Sequence, residues 1–229
     1  MKIKQHLLPV IALCMTAATS HAAVLAQYDF NGASAVASTV ATDVTAGNFT
    51  PVGINPANVG LSGAGNAFLR STRTQATQAL ALTDLNAGLN DYQTVTISAG
   101  PGKFLDLTSV TFGFNANNNN SGGNFTSTAV LSSNVNGFGV AITGTDNSRT
   151  VAQSTSGPFT PTATFDLSAS EYNNLSTITF RLSTFDSIND NGDLSRFDDF
   201  TLNGDVIPEP SSTLLGGLGM LCLLRRRRA

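Results

Sequence analysis

The chain has 229 residues, with 12 Lys+Arg against 15 Asp+Glu, two Cys, two His and no Trp. Cys14, Cys222, His6 and His21 all lie in the terminal segments, so residues 23–207 contain neither Cys nor His. That excludes disulfides, thiol nucleophiles, Ser-His-Asp triads and His-ligated metals from the body of the chain. The same stretch holds 6 basic and 14 acidic residues, a formal charge of −8 rather than the −3 of the whole chain. Such a surface repels phosphate backbones and offers no basic stripe, so nucleic acid is not an expected partner.

The N-terminus, "MKIKQHLLPVIALCMTAATSHAA", places Lys2 and Lys4 before an apolar run from Leu7 to about Ala18, followed by small residues. This is the order of a secretory signal peptide. Ser20 and Ala22 put small side chains at the positions signal peptidase reads, which predicts residues 1–22 as the signal, cut after Ala22. The run falls short of the roughly 20 residues that span a bilayer. Leu13, ahead of Cys14, is too bulky for lipoprotein cleavage.

From residue 23 onward, strand signals dominate. "VLAQYDF", "NFTPV" and "NAFLR" come first, then "TVTIS" with Val95 and Ile97 on one face, and "VTFGF" grouping Val110, Phe112 and Phe114. "TSTAVLSS", "FGVAI", "TATFDL", "STITFRL" and "FDDFTLNGDV" follow. A period of two in Thr- and Phe-rich runs, separated by Gly, Asn, Asp and Ser, marks half-buried antiparallel strands joined by turns. "LTDLNAGLNDY" predicts a single helical turn capped by Thr83 or Asp84. Asn115–Asn124, "NANNNNSGGN", reads as a long loop between two strands. The expected fold of residues 23–207 is therefore one all-β domain, an antiparallel β-sandwich or jelly roll of about ten strands.

Little in this domain points to catalysis. Glycoside hydrolysis needs two facing carboxylates, yet Glu171 is its sole Glu and no Asp pair stands out by spacing. No enzyme and no cofactor is expected. Two Asp clusters invite a calcium reading. "SINDNGDLSRFD" sets Ser187, Asn189, Asn191, Gly192, Asp193 and Asp198 at calcium-loop spacing, but Ser stands at its first position and strands flank it. The preferred reading is a solvated turn. Asp29 in "YDF" could meet Asp198 and Asp199 in "RFDDF" around a structural calcium, although strict alternation sends Asp198 and Asp199 to opposite faces; polar rim residues are the preferred reading here too. Sugar platforms favour exposed aromatic faces, and only Tyr28, Tyr92 and Tyr172 accompany 14 Phe that fall mainly at inward positions. The N-x-S/T triplets at Asn48, Asn119, Asn124 and Asn174 are expected by chance in so Thr- and Ser-rich a chain.

The C-terminus has three parts. Pro208-Glu209-Pro210 is expected to interrupt any helix or strand. An apolar, Gly-rich run from Thr213 to Leu224 follows, then Arg225, Arg226, Arg227 and Arg228. As a helix, residues 211–224 would reach roughly 21 Å, short of the ~30 Å of hydrocarbon. Arginines beyond it would stay on the cytoplasmic side. The tail, residues 208–229, resembles the PEP-CTERM sorting signal of Gram-negative bacteria that produce extracellular polysaccharide. That resemblance implies processing by exosortase, a membrane-embedded cysteine protease/transpeptidase, with Pro208, Glu209 and Pro210 as the recognised motif. It also implies Arg225–Arg228 as the stop-transfer cluster and the short helix as a transient membrane anchor. The stretches "DYQTVTISAGPGKFLDLTSVTFGF" and "ITFRLSTFD…SRFDDFTLNGDV" resemble, more loosely, the β-sandwich domains that precede such tails. The expectation is an exported cell-surface or extracellular-matrix protein without catalysis, handled by signal peptidase and exosortase. The alternative is a carbohydrate-binding or adhesion module that takes extracellular polysaccharide as its partner.

Overall fold

Alternation along Thr- and Phe-rich runs builds two facing sheets. The computed structural model describes residues 22–53, 59–62, 65–69, 82–83, 86–87, 91–118, 123–153, 155–186 and 194–209. In chain order the strands are β1 (Ala23–Tyr28), β2 (Thr39–Val40), β3 (Val44–Ala46), β4 (Thr50–Val52) and β5 (Val59–Ser62). Then come β6 (Asn66–Leu69), β7 (Tyr92–Ala99), β8 (Lys103–Asn118), β9 (Phe125–Ser133) and β10 (Gly144–Thr145). The last five are β11 (Ser148–Val151), β12 (Thr155–Ser156), β13 (Thr162–Asp166), β14 (Thr177–Asp186) and β15 (Leu194–Pro208). One sheet runs β10-β13-β8-β15-β1-β2, with β12 also on β8 and β6 carrying β5 onto β15. The other runs β11-β9-β14-β7-β3, with β4 also on β7. Every pairing is antiparallel, as expected of an all-β sandwich.

The core is aromatic. Phe112, Phe114, Phe165, Phe180 and Phe200 are all fully buried, joined by Tyr28, Phe30, Phe49 and Phe197. Phe112 stacks on Phe165 at 5.3 Å and meets Phe197 edge-on at 5.5 Å. Phe49 sits edge-on to Tyr28, Phe30 and Phe200 at 4.8, 5.1 and 5.1 Å. Each buried ring removes enough apolar surface to stabilise the fold by about 1.5–3 kcal/mol, and edge-on pairs add about 0.5–1.5 kcal/mol. The Tyr28 hydroxyl donates to the Gly47 carbonyl at 2.6 Å, so the one polar atom on this cluster is satisfied. Burial pushes its phenol well above the ordinary value.

Four local expectations need correcting. "FGVAI" is a turn: Gly137 and Phe138 are both left-handed (φ 59° and 61°), and only Ala141 makes a single bridge, to Ser132. Asn115–Asn118 belong to β8 instead of a loop. The amides of Asn115 and Asn118 are taken up by backbone, Asn115 Nδ2 by Gly157 O and Asn118 Nδ2 by Gly123 O at 2.9 Å, and Asn residues so bonded behave as structural groups. The expected opposite facing of Asp198 and Asp199 fails because Asp199 is left-handed (φ 51°) and adds a residue to β15 between the pairs Asp198↔Gly113 and Thr201↔Thr111. This bulge turns both carboxylates away from the core while Phe197 and Phe200 on either side point in. Finally, the strand does not stop before the prolines; β15 runs through Pro208. The helical turn is present, with Leu82, Thr83 and Asn86 helical and Ala87 N–H donating to Thr83 O at 3.0 Å, but Thr83 lies inside it and does not cap it; Asp84 lies outside the described residues.

Candidate functional site

The last rungs of β15 pair with the start of β8: Val206↔Leu105, Ile207↔Phe104 and Pro208↔Lys103. Glu209 N–H then donates to Gly102 O at 2.9 Å. Since that bond points toward β8, alternation turns the nitrogens of Pro208 and Val206 to the opposite edge of the strand. On that edge β1 begins at Ala23, opposite Gly204, and among the described residues no strand flanks Asp205–Pro208 there. Proline is tolerated where its missing N–H would face an unpaired edge. This is why the strand can include Pro208. Because β1 and β15 are antiparallel neighbours, the chain enters the sandwich at the pole where it leaves.

Val206 is the first residue of a stretch, 206–228, that matches the PEP-CTERM protein-sorting motif. The chain carries a PEP-CTERM sorting signal. That signal implies export, transient anchoring in the membrane and processing by exosortase. Of the residues expected to carry it, Pro208 and Glu209 are exposed at the end of β15. Pro210, the short helix and Arg225–Arg228 lie outside the described residues, as do residues 1–21 of the expected signal peptide. Among the described residues no helix is long and apolar enough to cross a membrane. No curated protein matches the chain. Among solved structures, the Stig cyclase Fisc from Fischerella sp. TAU is 11% identical over 83% of this chain and 92% of its own, with a TM-score of 0.28. A likeness so slight says nothing of the chemistry here.

The structure brings Asp29 and Asp199 within electrostatic reach of Asp198. The Asp198 carboxyl is pushed up by partial burial and by the neighbouring charges of Asp199 and Asp29, against the pull of the Asp199 N–H bonded to it at 2.9 Å. Asp29 accepts from Asn31 N–H at 3.2 Å. Both bonds tie a carboxylate to backbone within two residues of it. Among the described residues no three Asp, Glu, His or Cys side chains converge as metal ligands do. In the second calcium candidate, Ser187, Asn189, Asn191, Gly192 and Asp193 lie outside the described residues.

Two further features bear on function. The outer face of the β9–β14–β7 sheet carries cross-strand hydroxyl pairs: Thr96–Thr179 at 2.8 Å, Ser98–Thr177 at 2.9 Å, Thr126–Thr150 at 2.8 Å and Thr128–Ser148 at 3.0 Å. Arg181 projects from this face, its guanidinium 4.9 Å from the Tyr92 ring and 3.8 Å from that of Phe138, so both rings are taken by a cation–π contact. The second feature was missed by sequence reasoning. Away from the Phe cluster the interior turns polar, with Gln93, Ser127, Thr184, Asp186 and Ser195 all buried. Ser127 and Ser195 bond across the two sheets at 2.5 Å, and Gln93 Nε2 donates to Gly60 O at 2.9 Å. The signal was available in the inward parity of β14, which reads Ile178, Phe180, Leu182, then Thr184 and Asp186.

Proposed function

We propose that residues 23–207 form a cell-surface or extracellular-matrix domain that acts by being displayed, without catalysis, once signal peptidase and exosortase have removed its two ends. The observation that carries this reading is the fusion of the sorting motif to the end of β15 with no intervening linker, which makes the sandwich itself the cargo. A domain without His or Cys, most of whose described rings are packed into its core, supports a structural role. A second reading, a module that binds extracellular polysaccharide, draws on the hydroxyl rows of the β9–β14–β7 face, which offer a polar sheet surface of sugar-like chemistry.

The test is to probe residues 23–207 on a glycan array and against isolated matrix, and to delete the gene. An inert domain whose loss thins the matrix supports the structural role. Saturable binding to one defined glycan supports the module. Turnover of a matrix polymer would contradict both.

A further inference from the structure

Taking the exosortase reading as its basis, we propose that the sandwich latches its own sorting motif: the processing enzyme gains Pro208-Glu209 only when the last rungs of β15 part from β8. The motif does not hang from the domain; Pro208 is the last residue of a sheet strand, and Glu209 just beyond it is held by the Glu209–Gly102 bond. Val206, two residues before it, packs against the aromatic core. Proteases grip substrates as extended strands through main-chain hydrogen bonds, and here one backbone edge of the motif is already occupied.

The receiving side is fixed and cannot follow the motif outward. Gly102 is left-handed (φ 67°), in a turn closed by Lys103 N–H donating to Gly100 O at 3.1 Å. Behind it Gly100 N–H donates to Asp43 O at 2.7 Å, and Lys103 Nζ lies 3.5 Å from Asp43 Oδ2. On the far edge of β8, Leu105 exchanges both backbone bonds with Leu175, at 2.8 and 3.0 Å. The terminal rungs of β15, half-buried up to the exposed Pro208 and, among the described residues, flanked on one side alone, are the part free to open, since strand ends fray at far lower free energy than the core.

The experiment is a pulse-chase of the full precursor in exosortase-containing cells, in a Cys222→Ser background, following loss of the tail. A short Gly-Ser spacer between Ile207 and Pro208 should speed conversion several-fold. A Phe104→Cys/Ile207→Cys pair, on facing outward positions about 5.5 Å apart between Cα atoms and so within disulfide reach, should hold the precursor uncleaved until reductant is added. Maleimide labelling reports the cross-linked fraction. Cross-linked precursor converting at the wild-type rate, or a spacer without effect, overturns the latch. Replacing Pro208, Glu209 and Pro210 by Ala in the same cells tests the underlying reading separately. Undiminished tail loss there would remove the exosortase basis, and the latch with it.

Discussion

The two ends of β15 follow opposite plans. Near its start, β15 is flanked on both edges, by β6 and β8, and a left-handed Asp199 inserts an extra residue so that Phe197 and Phe200 can both enter the core. At its end, β15 keeps simple alternation, outruns β1, and carries the sorting motif on a half-paired edge where a proline can sit. The first plan bends the strand to serve packing; the second leaves backbone available to a partner. Stability and processing should therefore separate by position along one strand.

The largest effect belongs to the core end. Phe200→Ala removes a ring in contact with Tyr28, Phe49, Phe112 and Phe180, and it should lower the stability of the domain by about 3–5 kcal/mol in denaturant unfolding. The triple Ala replacement of Pro208, Glu209 and Pro210 should leave that unfolding curve in place while the tail is retained. A large stability loss from the triple change would break the separation.

Next come the buried hydroxyls. Ser195→Ala strands the Ser127 hydroxyl between the sheets and should cost about 1–3 kcal/mol, whereas adding Ser127→Ala should recover much of the loss. If the double variant is worse than either single one, the polar interior is held by more than this pair. Tyr28→Phe leaves Gly47 O without its donor and should cost about 1 kcal/mol in the same assay.

The smallest effect sits at the bulge. The Asp198 carboxyl has a raised pKa in the folded state, so the folded protein binds that proton more readily than the unfolded chain does. Its ionisation therefore costs stability at neutral pH, a cost relieved as pH falls through the folded pKa and absent below the unfolded one. Asp198→Asn should raise the neutral-pH melting temperature slightly, and the gain should vanish in acid. If calcium instead bridges Asp29 and Asp198, chelator would lower the melting temperature of the wild type, and Asp198→Asn would lower it in calcium instead of raising it. An unchanged melt in chelator is expected.

Much of the core end was legible in the sequence. The positions of Phe112, Phe114, Phe165 and Phe180 follow from a period of two, because one slip of register would expose them all. What escaped depends on backbone choices that periodicity does not encode. The bulge at Asp199 rests on a left-handed conformation that Asp adopts only when its neighbours reward it. "FGVAI" has strand composition but is claimed by the Gly137–Phe138 turn. At the other end the motif itself was readable, since Pro, Glu and Pro are consecutive letters. That Pro208 lies within the sheet was not, because proline's compatibility with a strand depends on which neighbour ends first, here β1 at Ala23. The polar residues within the sandwich were hidden for another reason: Thr184 and Asp186 have the inward parity but not the hydrophobicity by which inward positions are recognised.

Mass spectrometry of the protein recovered from exosortase-containing cells tests the sorting account most directly. The mature form should begin at Ala23 and end within or close to Pro208–Pro210, with no peptide beyond it. A mature protein whose C-terminal peptide still carries Arg225–Arg228 would contradict it, leaving the tail as a permanent anchor.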